Sequence, residues 1–456
     1  MRTVAFHTLG CKVNIVETQA MQQLMEDAGY KTVDFEERAD VYIVNTCSVT
    51  NVADKKSRQM LHRARKRNPQ AIVVAAGCYV QSAAEKLKED LRVDLVVGND
   101  RKMEMVHILE GYYRSRKKKD FLEDMAKIRE FEKLRVPRKT GHTRGFVKIT
   151  DGCNQFCTYC IIPFTRGRVR SRTMEDVLEE VQTLVRGGCR EVVLTGIHLS
   201  SYGVDFSDQS YNARMEECTR REENDEGFLQ HNGLLQLLNA MEGVEGLERI
   251  RLGSLEPRII TEGFLEGLKK NTKFCPHFHL SLQSGCNATL QRMNRRYTTE
   301  EFYQGVEAIR RHFPAPAVTT DIIVGFPGET QEEFLESLAF VQRVGFYETH
   351  IFPYSKREGT RAAKMEKQIS SEEKQRRAAL FQGLNAKKAE AFRRERLGWE
   401  EEILTEEEFS REGETYLTGY TREYVRVAVK KKDQKPNTLV KGRVLGFLTP
   451  ELLYME

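Results

Sequence analysis

The sequence predicts an α/β fold: an open parallel α/β sheet domain, then a longer α/β segment, and last a small β-barrel. Strand-like and helical runs alternate from residue 3 to about residue 99, and again from residue 146 to residue 352. Such alternation is typical of parallel sheets covered by helices. After residue 398 five short strand-like runs follow within about sixty residues. That spacing predicts a small barrel of the oligonucleotide-binding type.

The composition predicts a globular protein of two or three domains. The chain has 456 residues, of which 30% are charged and 40% hydrophobic, and a formal net charge of +5. It has no run near the roughly 18 apolar residues of a membrane span, and its first residues lack the features of a secretory signal. Ten cysteines then favour a reducing compartment. We expect a cytoplasmic monomer.

Three closely spaced cysteines, Cys153, Cys157 and Cys160, follow a strand-like run that ends at Ile149. The spacing C-x3-C-x2-C forms a tight loop that turns three thiolates toward one iron–sulfur cluster. A four-iron cluster held in this way keeps one iron open for a substrate or cofactor. A zinc site more often shows paired C-x2-C units or nearby histidines, and a buried loop without metal is the remaining alternative.

Residues 1–113 are predicted to form the open sheet domain. Cys11, Cys47 and Cys78 each follow one of its first three strands. Ligand sites gather at that edge of α/β sheets, so we expect the three thiols to converge on a second, auxiliary cluster. Buried packing is the alternative for each cysteine taken alone. The predicted strands are Thr3–Thr8, Val41–Asn45, Ile72–Ala76 and Leu95–Val97, and the predicted helices are Glu17–Ala28, Asp54–Arg67 and Ser82–Glu89.

A basic linker is predicted over residues 114–143, since Arg114 to Arg144 include twelve basic and five acidic residues. Such a run is either simply solvated or placed beside an RNA backbone. Residues 144–375 then repeat strand and helix, with a surface insertion over 205–227 that contains Cys218. The predicted strands are Phe146–Ile149, Glu191–Thr195, Arg249–Leu252, His277–Leu282, Thr319–Val324 and Glu348–Phe352, with helices at Met174–Arg186, Gly233–Glu242, Thr261–Lys269, Thr299–Arg311 and Gln331–Val344.

Residues 376–456 are predicted to hold the small barrel together with a bracing helical pattern that begins near Ser370. Tyr420, Tyr424 and Arg426 interleave aromatic and basic side chains, a pattern that stacks bases and contacts phosphates in RNA-binding barrels. A purely structural barrel is the alternative. The segment resembles the TRAM domain of RNA-modifying enzymes. The predicted strands are Glu402–Leu404, Tyr416–Tyr420, Val425–Val429, Leu439–Val444 and Glu451–Tyr454.

The spacing of Cys153, Cys157 and Cys160 resembles that of the radical S-adenosylmethionine (radical SAM) enzymes. The resemblance implies a partial (βα)6 barrel over residues 144–375, a [4Fe–4S] cluster, and SAM bound at the carboxyl ends of the strands. Family members often carry Gly-Gly-Glu after the second strand, where this chain has Thr-Gly-Ile-His. The residues expected to contact SAM are Tyr159, Thr195, Gly196, Ser254, Gln283 and Gly325.

The three parts in this order resemble the methylthiotransferases over nearly the whole chain. Three separate cysteines, then C-x3-C-x2-C, then Ile-Pro-Phe-Thr-Arg166-Gly form the pattern that carries this resemblance. It implies two [4Fe–4S] clusters, with all six cysteines as ligands and catalytic groups, and two uses of SAM. One SAM donates the methyl group, and a second yields the 5′-deoxyadenosyl radical that removes a hydrogen from C2 of an adenosine.

Within that family, three stretches resemble the branch that acts on N6-threonylcarbamoyladenosine beside the tRNA anticodon. They are Leu-Gly-Cys11-Lys12-Val-Asn, the run from Cys47 to Arg58, and His350-Ile-Phe-Pro-Tyr-Ser. The isopentenyladenosine branch usually has Gly-Cys-Gln-Met-Asn at the first cysteine. The branch that modifies an aspartate of a ribosomal protein has Gly-Cys-Pro-Lys-Asn.

The expected partners are the tRNA anticodon stem-loop and an electron donor such as flavodoxin or ferredoxin. Arg166 and Arg168 lie in the basic run after the cluster loop, with Arg170 and Arg172, and are predicted to meet a phosphate or carboxylate. A solvated basic loop is the alternative. A non-enzymatic alternative is an RNA-binding iron–sulfur sensor, which would leave the SAM-like motifs unused.

Overall fold

The structure is a computed structural model that describes residues 1–115, 117–134, 143–206 and 232–456. Part of the predicted basic linker (residues 116 and 135–142) and most of the predicted insertion, with Cys218, lie outside these residues. Across the described ranges, no helix has both the length and the apolar character needed to span a membrane.

A six-stranded parallel sheet forms the N-terminal part, in the order β2-β1-β3-β4-β5-β6. All residues of β3 and β4 are buried, because separate apolar cores cover the two faces of the sheet. Two edge strands, β2 and β6, are absent from the prediction because each has three residues with little apolar character. The strands are β1 Thr3–Thr8, β2 Lys31–Val33, β3 Val41–Thr46, β4 Ile72–Gly77, β5 Leu95–Val97 and β6 Lys119–Phe121; the helices are α1 Lys12–Asp27, α2 Asn51–Arg67, α3 Cys78–Ser82, α4 Ala84–Glu89 and α5 Met105–Ser115, with a 3₁₀ turn at Lys102–Glu104.

Tight turns at the carboxyl edge of this sheet lead directly into helices. Gly77 has a φ of 95°, and a Cβ there would lie 2.5 Å from the carbonyl oxygen of Thr46. Glycine is therefore required where the turns after β3 and β4 pack against each other. Cys11 is the residue before α1, and Cys78 is the first residue of α3. The thiols of both thus stand at the start of a helix.

The central part has two four-stranded sheet segments, in the orders β10-β9-β7-β8 and β11-β12-β13-β14. Gly253 alone separates β10 from β11, so the six predicted strands follow one another as one parallel series. Among the strands of the described residues in this part, only β8, which is absent from the prediction, is antiparallel. The strands are β7 Arg144–Asp151, β8 Arg170–Ser171, β9 Glu191–Gly196, β10 Arg249–Leu252, β11 Ser254–Leu255, β12 His277–Gln283, β13 Ala317–Val324 and β14 Glu348–Pro353.

Alternate residues of these strands face opposite sides. One side packs against helices in a large apolar core that includes Val147, Leu194 and Phe278. The opposite side, here called the inner face, carries polar residues such as Arg251 and His279. A parallel series with one apolar and one polar face leaves room for a site on its polar side.

Threonine caps fix where the central helices begin. Each cap hydroxyl accepts a hydrogen bond from the backbone N–H three residues later, as expected for N-cap residues. Three predicted helices, Met174–Arg186, Gly233–Glu242 and Gln331–Val344, have the predicted bounds. The other described helices of this part are Ile162–Thr165, Glu262–Lys270, Asn287–Arg292 and Thr299–His312, with 3₁₀ turns at Leu199–Ser201, Pro257–Ile259 and Ala362–Lys364.

The helix Ser371–Glu395 connects the central part to a closed five-stranded sheet. Phe381 belongs to the central core and Ala389 to the core of the small barrel, so the predicted boundary at residue 376 falls inside one continuous helix. Arg249, the first residue of β10, donates to the carbonyl oxygen of Tyr420 at 2.7 Å. The small barrel therefore packs near the amino ends of the central strands. Its strands, in sequence, are β15 Glu400–Arg411, β16 Glu414–Tyr420, β17 Arg426–Lys430, β18 Leu439–Thr449 and β19 Leu452–Met455.

Candidate functional site

The loop that carries Cys153, Cys157 and Cys160 leaves β7 through a turn that only glycine fits. Gly152 has a φ of 72°, and a Cβ there would lie 1.9 Å from the carbonyl oxygen of Arg168. From the other side, Asn294 donates from Nδ2 to the Phe156 carbonyl at 3.2 Å. The loop is thus held in shape by its surroundings.

Donors and one positive charge face the three sulfurs. Arg295 donates from Nη1 to Cys157 Sγ at 3.3 Å, and the backbone N–H of Gln155 donates to Cys153 Sγ at 3.5 Å. Burial raises the pKa of the Cys153 thiol to about 12, and Cys157 adds to this increase while Arg295 opposes it. Burial and both neighbouring thiols raise the pKa of Cys160. Three free thiols that repel one another in this way suit a shared cation, which makes them thiolates.

The residues predicted to contact SAM lie around this loop. The Tyr159 and Phe326 rings pack edge to face, with centroids 6.3 Å apart. Gly196 leaves no room for a side chain, because a Cβ would lie 2.1 Å from Thr150 Oγ1. Gln283 has a φ of 69° at an irregularity in the β12–β13 register, which is a strained conformation for a residue other than glycine. Thr195 is the second-last residue of β9, Ser254 is the first residue of β11, and Gly325 follows the last residue of β13.

Glu256 is a candidate for ligand binding that has no place among the predicted SAM residues. Its side chain is 4% exposed, and Oε1 accepts from Arg258 Nε at 2.9 Å. Within the described residues, Oε2 is buried and has no hydrogen-bond partner. A buried carboxylate oxygen of this kind requires a donor, and an ammonium such as that of SAM would supply one.

Cys11, Cys47 and Cys78 meet at the carboxyl edge of the N-terminal sheet, as their positions after successive strands predict. A Cβ on Gly10 would lie 2.8 Å from Cys47 Sγ, so the turn before Cys11 touches Cys47. Burial, Cys78 and Cys11 raise the pKa of the Cys47 thiol to about 11. Burial and Cys78 raise that of Cys11, while Arg166 lowers it. The three thiols therefore act on one another, as ligands of one cluster would.

Arg166 joins this second cysteine set to the central part, and the prediction that it binds RNA is wrong. Its side chain is fully buried. Nε donates to Cys78 Sγ at 3.2 Å, Nη1 donates to Glu17 Oε1 at 2.7 Å, and Nη2 donates to Asn14 Oδ1 at 2.7 Å. Nη1 also donates to Asp151 Oδ1, in the central part, at 3.1 Å. An RNA phosphate cannot reach a guanidinium with these contacts.

Other buried charges surround Glu17. Lys102 and Lys148 donate to its two carboxylate oxygens at 2.5 and 2.8 Å, and Lys148 also bonds Asp151 at 2.6 Å. Burial alone would raise the pKa of Glu17, but Arg166, Lys102 and Lys148 hold it well below its usual value. We call Glu17, Lys102, Lys148, Asp151 and Arg166 the interdomain charge cluster. It contains side chains from both sides of the domain boundary.

Asn99 is a second donor to Cys78 that the sequence does not reveal. Its Nδ2 lies 3.7 Å from Cys78 Sγ and donates to the Thr165 carbonyl at 2.8 Å. Asn99 is 21 residues from Cys78 and Arg166 is 88 residues away, so no local motif connects them to the cysteine. Both surround the sulfur with N–H donors, which tune the potential of a cluster.

Arg168 is exposed beside the cluster loop, whereas Arg170 and Arg172 are buried. The Arg168 guanidinium lies 4.5 Å from the centroid of the Phe156 ring. Phe156 in turn packs edge to face with Phe164, which is 57% exposed. An exposed cation with two aromatic rings at the mouth of a site suits stacking with a nucleic-acid base.

Tyr420 and Tyr424 are predicted to contact RNA, but the structure places them in a contact between the small barrel and the central part. Their rings stack on each other with centroids 4.4 Å apart, and Arg144 and Arg251 lie within 4.7 Å of one ring each. Arg144 also donates to the Tyr424 hydroxyl at 2.7 Å. These half-buried tyrosines therefore pack the small barrel against the central strands. Arg426, by contrast, pairs with Glu407 at the surface.

Comparison with known proteins agrees with this arrangement. Residues 3–98 match the family described as "Uncharacterized protein family UPF0004", and residues 147–341 match the "Radical SAM superfamily". A radical S-adenosylmethionine methyltransferase, TsrM, from Kitasatospora setae has a similar fold. Its TM-score is 0.53 at 15% identity, and the match covers 77% of this chain and 73% of that one. The fold and the cysteine loop thus define a radical SAM enzyme, a class that uses one [4Fe–4S] cluster and SAM.

Curated relatives narrow this class. Two are named threonylcarbamoyladenosine tRNA methylthiotransferase MtaB: one from Bacillus subtilis is 41% identical, covering 98% of this chain and 94% of the relative, and one from Aquifex aeolicus is 39% identical, covering 91% and 95%. A tRNA-2-methylthio-N(6)-dimethylallyladenosine synthase from Staphylococcus haemolyticus is 34% identical, covering 92% and 78%. The chain belongs to the methylthiotransferase family of radical SAM enzymes.

Proposed function

We propose that this protein transfers a methylthio group to C2 of N6-threonylcarbamoyladenosine in tRNA. One observation carries the proposal: two sets of three free thiols lie on either side of one interdomain contact, and Arg166 touches Cys78 in one set while following Cys160 of the other by six residues. The names of the relatives from Bacillus subtilis and Aquifex aeolicus support the nucleoside.

Cys153, Cys157 and Cys160 would hold the radical SAM cluster, which supplies the electron that cleaves SAM to the 5′-deoxyadenosyl radical. Arg295 donates to Cys157 and so neutralises part of the thiolate charge. Tyr159, Thr195, Gly196, Ser254, Gln283 and Gly325 would contact SAM itself. Glu256 would accept from the SAM ammonium with its unpartnered buried oxygen.

Cys11, Cys47 and Cys78 would hold the auxiliary [4Fe–4S] cluster, which supplies the sulfur that a first SAM methylates. Arg166 and Asn99 direct N–H groups at Cys78 Sγ, and such donors tune the potential of a cluster bound through that sulfur. The interdomain charge cluster fixes this ligand set relative to β7, which leads into the other set. Loss of the C2 hydrogen and entry of the methylthio group would then take place in the space between the two cysteine sets.

The tRNA would bind over the surface outside this space. Arg168 and Phe164 stand at its mouth, and Arg426 is on the small barrel. We assign this barrel, with strands from Glu400 to Met455, as a TRAM-type RNA-binding unit that the helix Ser371–Glu395 joins to the central part. The remaining assigned units are the auxiliary-cluster domain, whose sheet extends to Lys119–Phe121, the basic linker that follows this strand, and the radical SAM barrel from residue 144 to the helix Ser371–Glu395. A flavodoxin or ferredoxin would supply electrons to the enzyme, which we expect to work as a monomer in the cytoplasm.

The experiment is a nucleoside analysis by mass spectrometry of tRNA from a strain that lacks this gene. We expect the methylthio group to disappear from threonylcarbamoyladenosine alone. Its loss from isopentenyladenosine instead would keep the reaction and change the substrate. No change in any tRNA nucleoside would favour a ribosomal-protein aspartate. SAM cleavage by the reduced protein excludes the role of an iron–sulfur sensor.

A further inference from the structure

Three polar side chains from neighbouring strands meet on the inner face of the central part. His279 on β12, Asp321 on β13 and His350 on β14 present ligand atoms that lie within 4.8 Å of one another. His279 Nε2 is 3.3 Å from Asp321 Oδ2, and the two imidazole rings have centroids 5.5 Å apart. His279 is further oriented through Nδ1, which lies 2.9 Å from Thr319 Oγ1.

Lys12 of the N-terminal part extends toward the same face. Its ammonium lies 6.0 Å from the centroid of the Phe146 ring on β7. Burial, Arg144 and Arg251 lower the pKa of Lys12, and Glu191 opposes them. Burial, Arg251, His279, Lys12 and His350 together lower the pKa of His277. His277, Lys12, His279 and His350 therefore lie close enough together to act on one another. We call Lys12, His279, Asp321 and His350 the polar recess.

The polar recess is open to water and close to the cluster loop. Lys12 and His350 are exposed. Ser281, two residues after His279 on the same strand, accepts from Arg295 Nη2 at 3.0 Å through its carbonyl, and Arg295 also contacts Cys157. Two strand residues span about 7 Å. A modified adenine near the loop could therefore extend its substituent into the recess.

We propose that the polar recess binds the threonylcarbamoyl substituent of the substrate, with Lys12 and His350 donating to its carboxylate and Asp321 accepting from its hydroxyl or an N–H. This inference rests on the proposed function. The substituent carries one carboxylate, one hydroxyl and two N–H groups, and the recess offers the Lys12 ammonium, an imidazole donor and one carboxylate acceptor. His279 is a positioning residue, because it holds Asp321 in place from the side of Thr319.

An alkenyl substituent has no carboxylate, hydroxyl or N–H for these side chains to bind. Because the recess is open to water, the discrimination comes from the charge-assisted hydrogen bonds that only the threonylcarbamoyl group can form. Lys12 and His350 also belong to two of the three stretches that resemble the threonylcarbamoyladenosine branch of the family. The structure brings these two distant positions to one face, so they would act together in substrate choice.

The test uses synthetic anticodon stem-loops that carry threonylcarbamoyladenosine or its neutral methyl ester. The reconstituted holoenzyme is compared with Lys12→Gln and His350→Gln, and with the matched exposed controls Lys31→Gln and His107→Gln. The measured quantity is the ratio of kcat/KM for the acid to that for the ester. If a variant binds its clusters less completely, the rates with the acid and with the ester fall by the same factor, so their ratio does not change. The iron content of each variant is measured in parallel.

We expect the unaltered enzyme and both controls to prefer the acid by about tenfold or more, as for one charge-assisted hydrogen bond. In Lys12→Gln and His350→Gln the ratio should approach one, with the ester rate little changed. An unchanged ratio in both variants overturns the inference while the proposed function stands. So does stoichiometric zinc or manganese that is lost in His350→Gln, because the recess would then be a metal site. An enzyme that converts only an isopentenyl stem-loop overturns both.

Discussion

Replacing Arg166 with methionine tests the role of the interdomain charge cluster. Methionine keeps much of the apolar volume and removes the charge and all donors. Arg166 bonds Glu17, Asp151 and Asn14 at 2.7 to 3.1 Å and Cys78 at 3.2 Å. We therefore expect the variant to lose both interdomain stability and one donor to a cluster sulfur.

The magnitude follows from which charges lose their partners. Removing one member of a buried ion pair costs roughly 3–5 kcal/mol. Here Glu17 keeps Lys102 and Lys148, and Asp151 keeps Lys148, so the lower end, about 3 kcal/mol, is expected. Adding Glu17→Gln should cost less than the sum of the two single changes, with a coupling energy of at least about 1 kcal/mol.

The assay is urea unfolding of the cluster-free chain under reducing conditions, followed by the reduction potential of the auxiliary cluster after reconstitution. The matched control is Arg168→Met, an exposed position two residues away, which should change stability by no more than about 0.5 kcal/mol. With one N–H···S bond fewer, the Arg166→Met potential should become more negative. If Arg166→Met lowers the free energy of unfolding by less than about 1 kcal/mol, and so hardly more than the control does, the reasoning about this charge cluster is refuted.

Three further predictions concern separate parts of the molecule. Cys78→Ala should reduce iron from about eight to about four per chain and retain reductive SAM cleavage, as measured by iron assay and chromatography. Glu191 is buried and pairs with Arg251 at 2.9 Å. Burial alone would raise the pKa of Glu191, but Arg251 lowers it, so Glu191→Gln should reduce the free energy of unfolding by about 3 kcal/mol at pH 7. In urea unfolding at a series of pH values, this difference should shrink as the pH falls below the ordinary carboxyl pKa of 4.5 toward the lower pKa of the folded state. Arg168→Ala should weaken stem-loop binding and reduce the salt slope by about one in a filter-binding titration.

Much of the fold could be predicted because periodicity and capping are local signals. Three central helices end where the sequence places them, and each begins after a side chain, Thr173, Asn232 or Thr330, that caps it. The convergence of Cys11, Cys47 and Cys78 was also predictable, since a parallel sheet collects the ends of its strands at one edge. Short edge strands such as Lys119–Phe121 escape because charged residues mask so brief a pattern.

Side-chain partners across the chain could not be predicted in the same way. Arg166 lies in a basic run with the composition of an RNA-binding loop, yet its carboxylate partners are 15 and 149 residues away. Tyr420 and Tyr424 show the aromatic and basic alternation of an RNA surface, and that alternation serves an interface with Arg144 and Arg251 instead. In each case the sequence correctly predicts side chains that form charged or stacking contacts. Which partner they contact depends on the fold.

Because Arg166 is buried and has partners on both sides of the domain boundary, the distance between the two cysteine sets is fixed. Opening that boundary would separate the buried charges of the interdomain charge cluster from their partners, so the two domains are unsuited to hinge motion during each turnover. A nucleotide stacked inside an anticodon loop must then turn outward to enter the gap. The deformation on binding falls on the RNA, and loops that already unstack this nucleotide will be the faster substrates.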